Sequence, residues 1–243
     1  MEALEIVGLS QVSDRYASRL SGGQQQRIAF ARAVVAEPEL LLLDEPLSNL
    51  DAALREQMRS ELRRFQQQIG VTTIYVTHDR AEALSMSDRI AVMKGGRFME
   101  IGAPEDLYDR PATSFTARFL GGANIVPGVV ESSDRGVAAR TSMGLLHGSA
   151  SAELAHGDRV SVFIRPERIR PAAETGADGV NCFEATVRAQ HFIGDGREVE
   201  LVVAGAESVV LGAKLPPRTK LDVGDVIRVG VDPVDVLLLP EDS

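Results

Sequence analysis

The chain has 243 residues, with 26 basic against 35 acidic side chains and a formal net charge of −9, enough for one large domain or two modest ones. Apolar residues at 44% and charged residues at 25% exclude wholesale disorder. No apolar run approaches the ~18 residues that span a bilayer, and the acidic balance argues against charge-driven binding of nucleic acid. The single cysteine, Cys182, forms no internal disulfide and fits a reducing compartment. The opening Met-Glu-Ala-Leu-Glu lacks the basic and apolar regions of a secretory signal.

In chain order, Ser21 reads as an N-cap for a helix to about residue 36, stopped by Pro38. Residues 40–43 are four leucines, the pattern of a strand buried on both faces. Asp51 caps a second helix to about Ile69, with Gly70 as its stop signal. The β-branched and aromatic residues 72–76 predict another buried strand, Asp79 opens a short helix, and residues 89–93 predict a further strand. An amphipathic stretch ends at Phe119-Leu120. Alternation of strand and helix predicts an α/β layer with a mostly parallel sheet. After Gly121-Gly122 the pattern changes to short strands at residues 126–130, 160–164, 182–190, 198–203 and 226–231, with turns at residues 194–196 and 224–225. That predicts an all-β barrel or sandwich, and hence two domains, 1–120 and 121–243.

Three runs carry chemistry. Ser21-Gly22-Gly23-Gln24 sets a hydroxyl and unpaired backbone N–H groups at the positive end of a helix, which suits a phosphate; a simple N-cap with a Gly pair is the alternative. Leucines 40–43 followed by Asp44-Glu45-Pro46 deliver two carboxylates to the carboxyl edge of a sheet, where α/β proteins bind ligands. One acid can hold Mg²⁺ and the next can orient or deprotonate water, unless both are a solvated strand end. In Tyr75-Val76-Thr77-His78-Asp79 a histidine leaves another strand at its carboxyl end, in reach of a phosphate or in a structural role.

Taken in order, these runs resemble the ATP-binding cassette (ABC) family of transporter ATPases: the signature run 20–27, the Walker B run 40–46, the D-loop Ser48-Asn49-Leu50-Asp51 and the switch His78. The resemblance continues through Glu82-Ala83, Ser87-Asp88-Arg89-Ile90, Gly102-Ala103-Pro104, Asp106-Leu107-Tyr108 and Arg110-Pro111-Ala112 to Gly121 and Asn124. In the tail, Ile164-Arg165-Pro166-Glu167 and Phe192-Ile193-Gly194 look like the family's OB-like TOBE domain. The resemblance implies a partial RecA-like nucleotide-binding domain followed by an all-β TOBE domain. It implies ATP and Mg²⁺ as cofactors, with Asp44 holding Mg²⁺ through water, Glu45 as general base and His78 on the γ-phosphate. Ser21, Gly22, Gly23 and Gln24 would contact ATP held by a second nucleotide-binding subunit, with Asp51 across the dimer interface. The implied partners are that subunit, integral membrane permeases and, indirectly, an extracytoplasmic solute-binding protein. The implied place is the cytoplasmic face of the inner membrane.

The family also requires a Walker A loop, Gly-x-x-x-x-Gly-Lys-Ser/Thr, whose backbone cradles phosphates. The sequence holds no such run, and no Gly is followed directly by Lys. The adenine-stacking strand and Q-loop are absent too, so the chain reads as the C-terminal two-thirds of such an ATPase, inactive alone. Its resemblance is to importers of polyamines, ferric iron or phosphonates. A non-catalytic partner that completes another subunit's site, or a regulatory module, is the alternative. The tail's net charge of −6 and its three aromatics, Phe163, Phe183 and Phe192, argue against nucleic acid despite the OB-like shape. His147, His156 and His191 lack metal-ligand spacing. Cys182 reads as a core strand residue, and Arg55, Arg59, Arg63 and Arg64 as a solvated face paired with Glu56 and Glu61.

Overall fold

The computed structural model describes residues 2–133, 136–174 and 180–241. The polypeptide divides into two units, residues 1–90 and 91–243. In the first, α1 (Glu2–Ile6) and α2 (Gly22–Val34) precede β1 (Leu40–Asp44), α3 (Ala52–Ile69), β2 (Thr72–Val76) and α4 (Arg80–Met86). Local chemistry fixes the helix ends. Ser21 and Gln24 form a reciprocal capping box on α2, Asp51 accepts the Leu54 N–H at 2.9 Å on α3, and Gly70 ends α3 at φ 72°. The core joins Phe30, Leu41, Leu47, Met58, Leu62 and Phe65, with the Phe30 and Phe65 rings 5.9 Å apart.

Two expectations for this unit change. Strands β1 and β2 form a parallel pair in register from Leu40 opposite Thr72 to Asp44 opposite Val76, but they are not buried on both faces. Leu41 is 5% exposed, whereas Leu42 is 67% exposed, and Leu40, Ile74 and Val76 lie open beside it. Helices cover one face of the sheet only, and among the described residues β1 has β2 as its single hydrogen-bonded neighbour. The basic series on α3 is ion-paired, with different partners. Arg59 pairs with Glu56, but Arg63 meets Asp88 at 2.5 Å, Arg55 approaches Asp79 at 3.7 Å, and Arg64 lies over the Phe65 ring. Glu61 is taken by Arg27 of α2, which reaches it because α2 packs along α3.

The second unit opens within β3 (Ile90–Lys94), which forms with β4 (Arg97–Gly102) a hairpin whose connection, Gly95-Gly96, has φ of 56° and 77°. Two consecutive positive φ values define the tight turn that glycine accepts without strain. Then come α5 (Pro104–Asp109) and α6 (Ser114–Gly121). The strands that follow are β5 (Asn124–Ser133), β6 (Gly136–Thr141), β7 (Gly144–His147), β8 (Ser149–Ala150), β9 (Arg159–Ile164), β10 (Arg170–Pro171), β11 (Cys182–Phe192), β12 (Arg197–Val203), β13 (Val210–Leu215), β14 (Val226–Gly230) and β15 (Val236–Pro240). They form a six-stranded sheet, β7-β6-β5-β9-β15-β8, and a five-stranded sheet, β10-β14-β11-β12-β13. Val126, Val162 and Leu238 of one pack with Phe183, Leu201 and Leu211 of the other in a shared apolar core. Asn124 ties the sheets together by donating to the Gly212 carbonyl at 2.8 Å and accepting its N–H at 2.7 Å. Cys182 sits half-buried at the first position of β11, at the margin of this core.

The shift to all-β structure falls at Gly121–Asn124, yet α5 and α6 group with the β-rich unit. The reason is Arg165, whose guanidinium lies 3.7 Å from the Tyr108 ring centroid and 4.7 Å from that of Phe163. It donates to the Ala117 carbonyl at 3.2 Å and the Tyr108 carbonyl at 2.5 Å. A Cβ on Gly121 would sit 1.9 Å from Arg165 Nη1, so this approach requires glycine. Tyr108 donates its hydroxyl to Glu167 at 2.6 Å, and burial together with that bond pushes its pKa up to about 12.

The open face of the β1–β2 sheet sets a stability test. Leu41→Ala is expected to destabilise the first unit by about 2–5 kcal/mol, against less than about 0.5 kcal/mol for Leu42→Ala, in urea denaturation. Equal losses would mean that Leu42 is covered in solution.

Candidate functional site

The carboxyl ends of β1 and β2 bring two predicted residues together. Glu45 Oε1 lies 3.0 Å from His78 Nδ1, although 33 residues separate them in the chain. The parallel register carries β1 and β2 to the same edge, and the Glu45 N–H continues the pairing by donating to the Val76 carbonyl at 2.8 Å. Glu45 has φ 43°, in the left-handed region, where a side chain with a Cβ carries strain of about 1–2 kcal/mol. The Ser48 hydroxyl and N–H both donate to the Glu45 carbonyl, at 2.9 and 3.2 Å, and hold that conformation. The twisted backbone turns the Glu45 carboxylate toward His78. Since a carboxylate only accepts, His78 Nδ1 carries the proton of this contact. The pair is open to water, with His78 at 75% and Glu45 at 46% side-chain exposure.

Beneath His78 lies a network that the motif reading passes over. Glu82, in the first turn of α4, is 3% exposed. Its Oε2 accepts from Tyr75 Oη at 2.9 Å and from Thr77 Oγ1 at 2.6 Å, and among the described residues no Arg or Lys pairs with it. Thr77 Oγ1 in turn accepts the Asp79 N–H at 2.9 Å. Burial holds the Tyr75 hydroxyl well above the ordinary phenol range, with the Glu82 bond adding to it. The sequence signal for this network is Asp79-Arg80-Ala81-Glu82, which has the spacing of a capping box. Asp79 does cap α4, accepting from Ala81 and Glu82 N–H at 2.8 and 3.1 Å. Glu82 does not return the bond; Thr77 takes that N–H, and Glu82 turns inward.

The other predicted residues lie on neighbouring elements of the same unit. Asp44 is exposed at the end of β1. Among the described residues no hydrogen bond or ion pair engages its carboxylate, and no cluster of three or more His, Cys, Asp or Glu could enclose a metal. A lone open carboxylate fits Mg²⁺, which keeps several waters and takes phosphate oxygens as its remaining ligands. Ser21 Oγ accepts the Gln24 N–H at 3.4 Å, and Gln24 Oε1 accepts the Ser21 N–H at 3.0 Å. The cap leaves the Ser21 O–H free to donate. Gly22 and Gly23 also have a packing role: a Cβ on Gly23 would meet Leu54 Cδ1 at 3.0 Å, and one on Gly22 would meet Leu50 Cδ2 at 3.6 Å. That contact sets the start of α2 against the start of α3, where Asp51 serves as the cap.

Two family models match the chain: ABC transporter over residues 1–48 and TOBE domain over residues 162–239. A Brucella melitensis protein named Fe(3+) ions import ATP-binding protein FbpC is 46% identical over 200 residues, 82% of this chain and 55% of its own. A Ruegeria pomeroyi protein named spermidine/putrescine import ATP-binding protein PotA is 48% identical over 174 residues, 71% of this chain and 47% of its own. The solved structure of cbiO1 from Clostridium perfringens, part of the ABC transporter complex cbiONQ, is 35% identical over 44% of this chain and 42% of its own, with a TM-score of 0.41. The chain thus spans about half the length of the curated relatives it matches. It belongs to the ABC transporter family, carrying part of the family's ATP-binding domain followed by a TOBE domain.

Proposed function

We propose that the chain is part of the ATP-hydrolysing subunit of an importer, of the kind whose relatives are named for Fe(3+) or spermidine/putrescine import. On this reading residues 1–120 complete a nucleotide-binding domain and residues 121–243 are its TOBE domain. The observation that carries it is the Glu45–His78 contact at the carboxyl edge of a parallel strand pair.

Glu45 acts as general base on the water that attacks the γ-phosphate, its carboxylate aimed by the strained backbone and by His78. In its cationic form the His78 ring donates from both nitrogens, one to Glu45 and one to a phosphate oxygen. Asp44 would hold Mg²⁺, and the ion when bound would supply charge neutralisation to the phosphates. Ser21 accepts from Gln24 and gives its own O–H, with the N–H groups of Gly22 and Gly23, to the γ-phosphate of ATP on a second nucleotide-binding subunit. Asp51, at the neighbouring helix start, sits at that dimer interface. The further partners are membrane permeases and, through them, a solute-binding protein, which sets the subunit at the cytoplasmic face of the inner membrane.

Two measurements test this reading. With no Gly-x-x-x-x-Gly-Lys-Ser/Thr loop in the sequence, titration of the purified chain with a fluorescent ATP analogue is expected to show no saturation in the micromolar range. Micromolar, Mg²⁺-dependent binding contradicts it. The intact start of α2 favours a second role, in which this chain completes the ATP site of an intact subunit. Excess chain is then expected to change the turnover of a full-length relative, and Ser21→Pro to abolish the effect; unchanged turnover removes that role.

A further inference from the structure

We infer that Glu82 is a positioning residue for His78, acting through Thr77. This rests for its functional weight on the Glu45–His78 reading above. The pair itself is exposed on both sides, and an exposed contact of this kind is too weak to hold an imidazole in place against its own rotamer freedom. The placement of His78 therefore comes from its backbone, the turn between the end of β2 at Val76 and the Asp79 cap of α4.

That turn has one buried anchor. Glu82 Oε2 takes the hydroxyls of Tyr75 and Thr77, one from β2 and one from the residue before His78. Thr77 Oγ1 is used twice: it donates to Glu82 and accepts the Asp79 N–H, so the residues on either side of His78 are bound to the same carboxylate-centred network. From the other side, Asp79 closes the first turn of α4 on the Glu82 N–H. His78 is the one residue of the run 77–79 whose side chain stays outside this network and is directed to Glu45. A buried carboxylate is expensive unless hydrogen-bonded, so neither hydroxyl can leave Glu82 without a penalty; this makes the turn stiff where the exposed pair is weak. The raised pKa of Tyr75 agrees with a hydroxyl that keeps its proton and gives it to Glu82.

The contact leaves a spectroscopic mark, because Nδ1 must carry the proton to donate to Glu45, whereas a free neutral imidazole favours the proton on Nε2. The test is ¹⁵N spectroscopy of the histidine-labelled full chain without nucleotide, above the pH at which imidazole ionises, with His78 assigned by His78→Asn. The unsubstituted chain should show the Nδ1–H signature for His78. Thr77→Val, nearly isosteric but without the hydroxyl, should lose it, Thr77→Ser should restore it, and Glu82→Leu should lose it as well. Far-ultraviolet circular dichroism checks that each variant is folded, and Thr77→Val decides alone if Glu82→Leu is not. A folded Thr77→Val chain that keeps the signature overturns the positioning role and leaves the proposed site standing. An unsubstituted chain without the signature overturns both.

Discussion

The constraint on which the site depends is the parallel pairing of β1 with β2. Five residues in register carry Asp44 and Val76 to the same edge, and the Glu45 N–H adds one more rung to the Val76 carbonyl. Just beyond that rung Glu45 takes a left-handed conformation, held by Ser48, and its carboxylate meets His78, the residue that leaves β2. A one-residue slip would reverse the faces of β1 and separate Glu45 from His78.

The pairing is supported from one side. Leu41 sits in the core with Phe30 and Phe65, while Leu42 and Ile74 remain open. The edge that carries Glu45 and His78 therefore stands on a sheet whose second face carries apolar side chains and no covering layer among the described residues. Rigidity at the edge then has to come from the turns. Ser48 holds the Glu45 carbonyl on one strand, and the Glu82 network holds the turn beyond the other.

Much of this was legible in the sequence. Capping residues Ser21, Asp51 and Asp79 fixed three helix starts, because cap chemistry is local. The runs holding Glu45 and His78 were legible as the ends of consecutive strands, which the parallel register brings to one sheet edge. Hydrophobicity alone misled at the four leucines, where a continuous apolar run records what a strand was shaped to face and not how many layers lie on it. Non-local contacts were not legible. Arg27 reaching Glu61, Arg165 clasping the backbone of α5 and α6, and Asn124 pairing with Gly212 join residues 34 to 88 positions apart, and no spacing rule announces them. Glu82 stood at capping-box spacing, and the network of Tyr75 and Thr77 redirected it.

The central claim is that Glu45 and His78 form the hydrolytic edge of an ATP site whose phosphate cradle the sequence does not contain. The most direct measurement is single-turnover ATP hydrolysis by a fusion of this chain to an N-terminal ABC segment that carries a Gly-x-x-x-x-Gly-Lys-Ser/Thr loop. The expected result is Mg²⁺-dependent hydrolysis that falls by about two to four orders of magnitude in Glu45→Gln while ATP stays bound. Hydrolysis at an unchanged rate in Glu45→Gln would contradict the account.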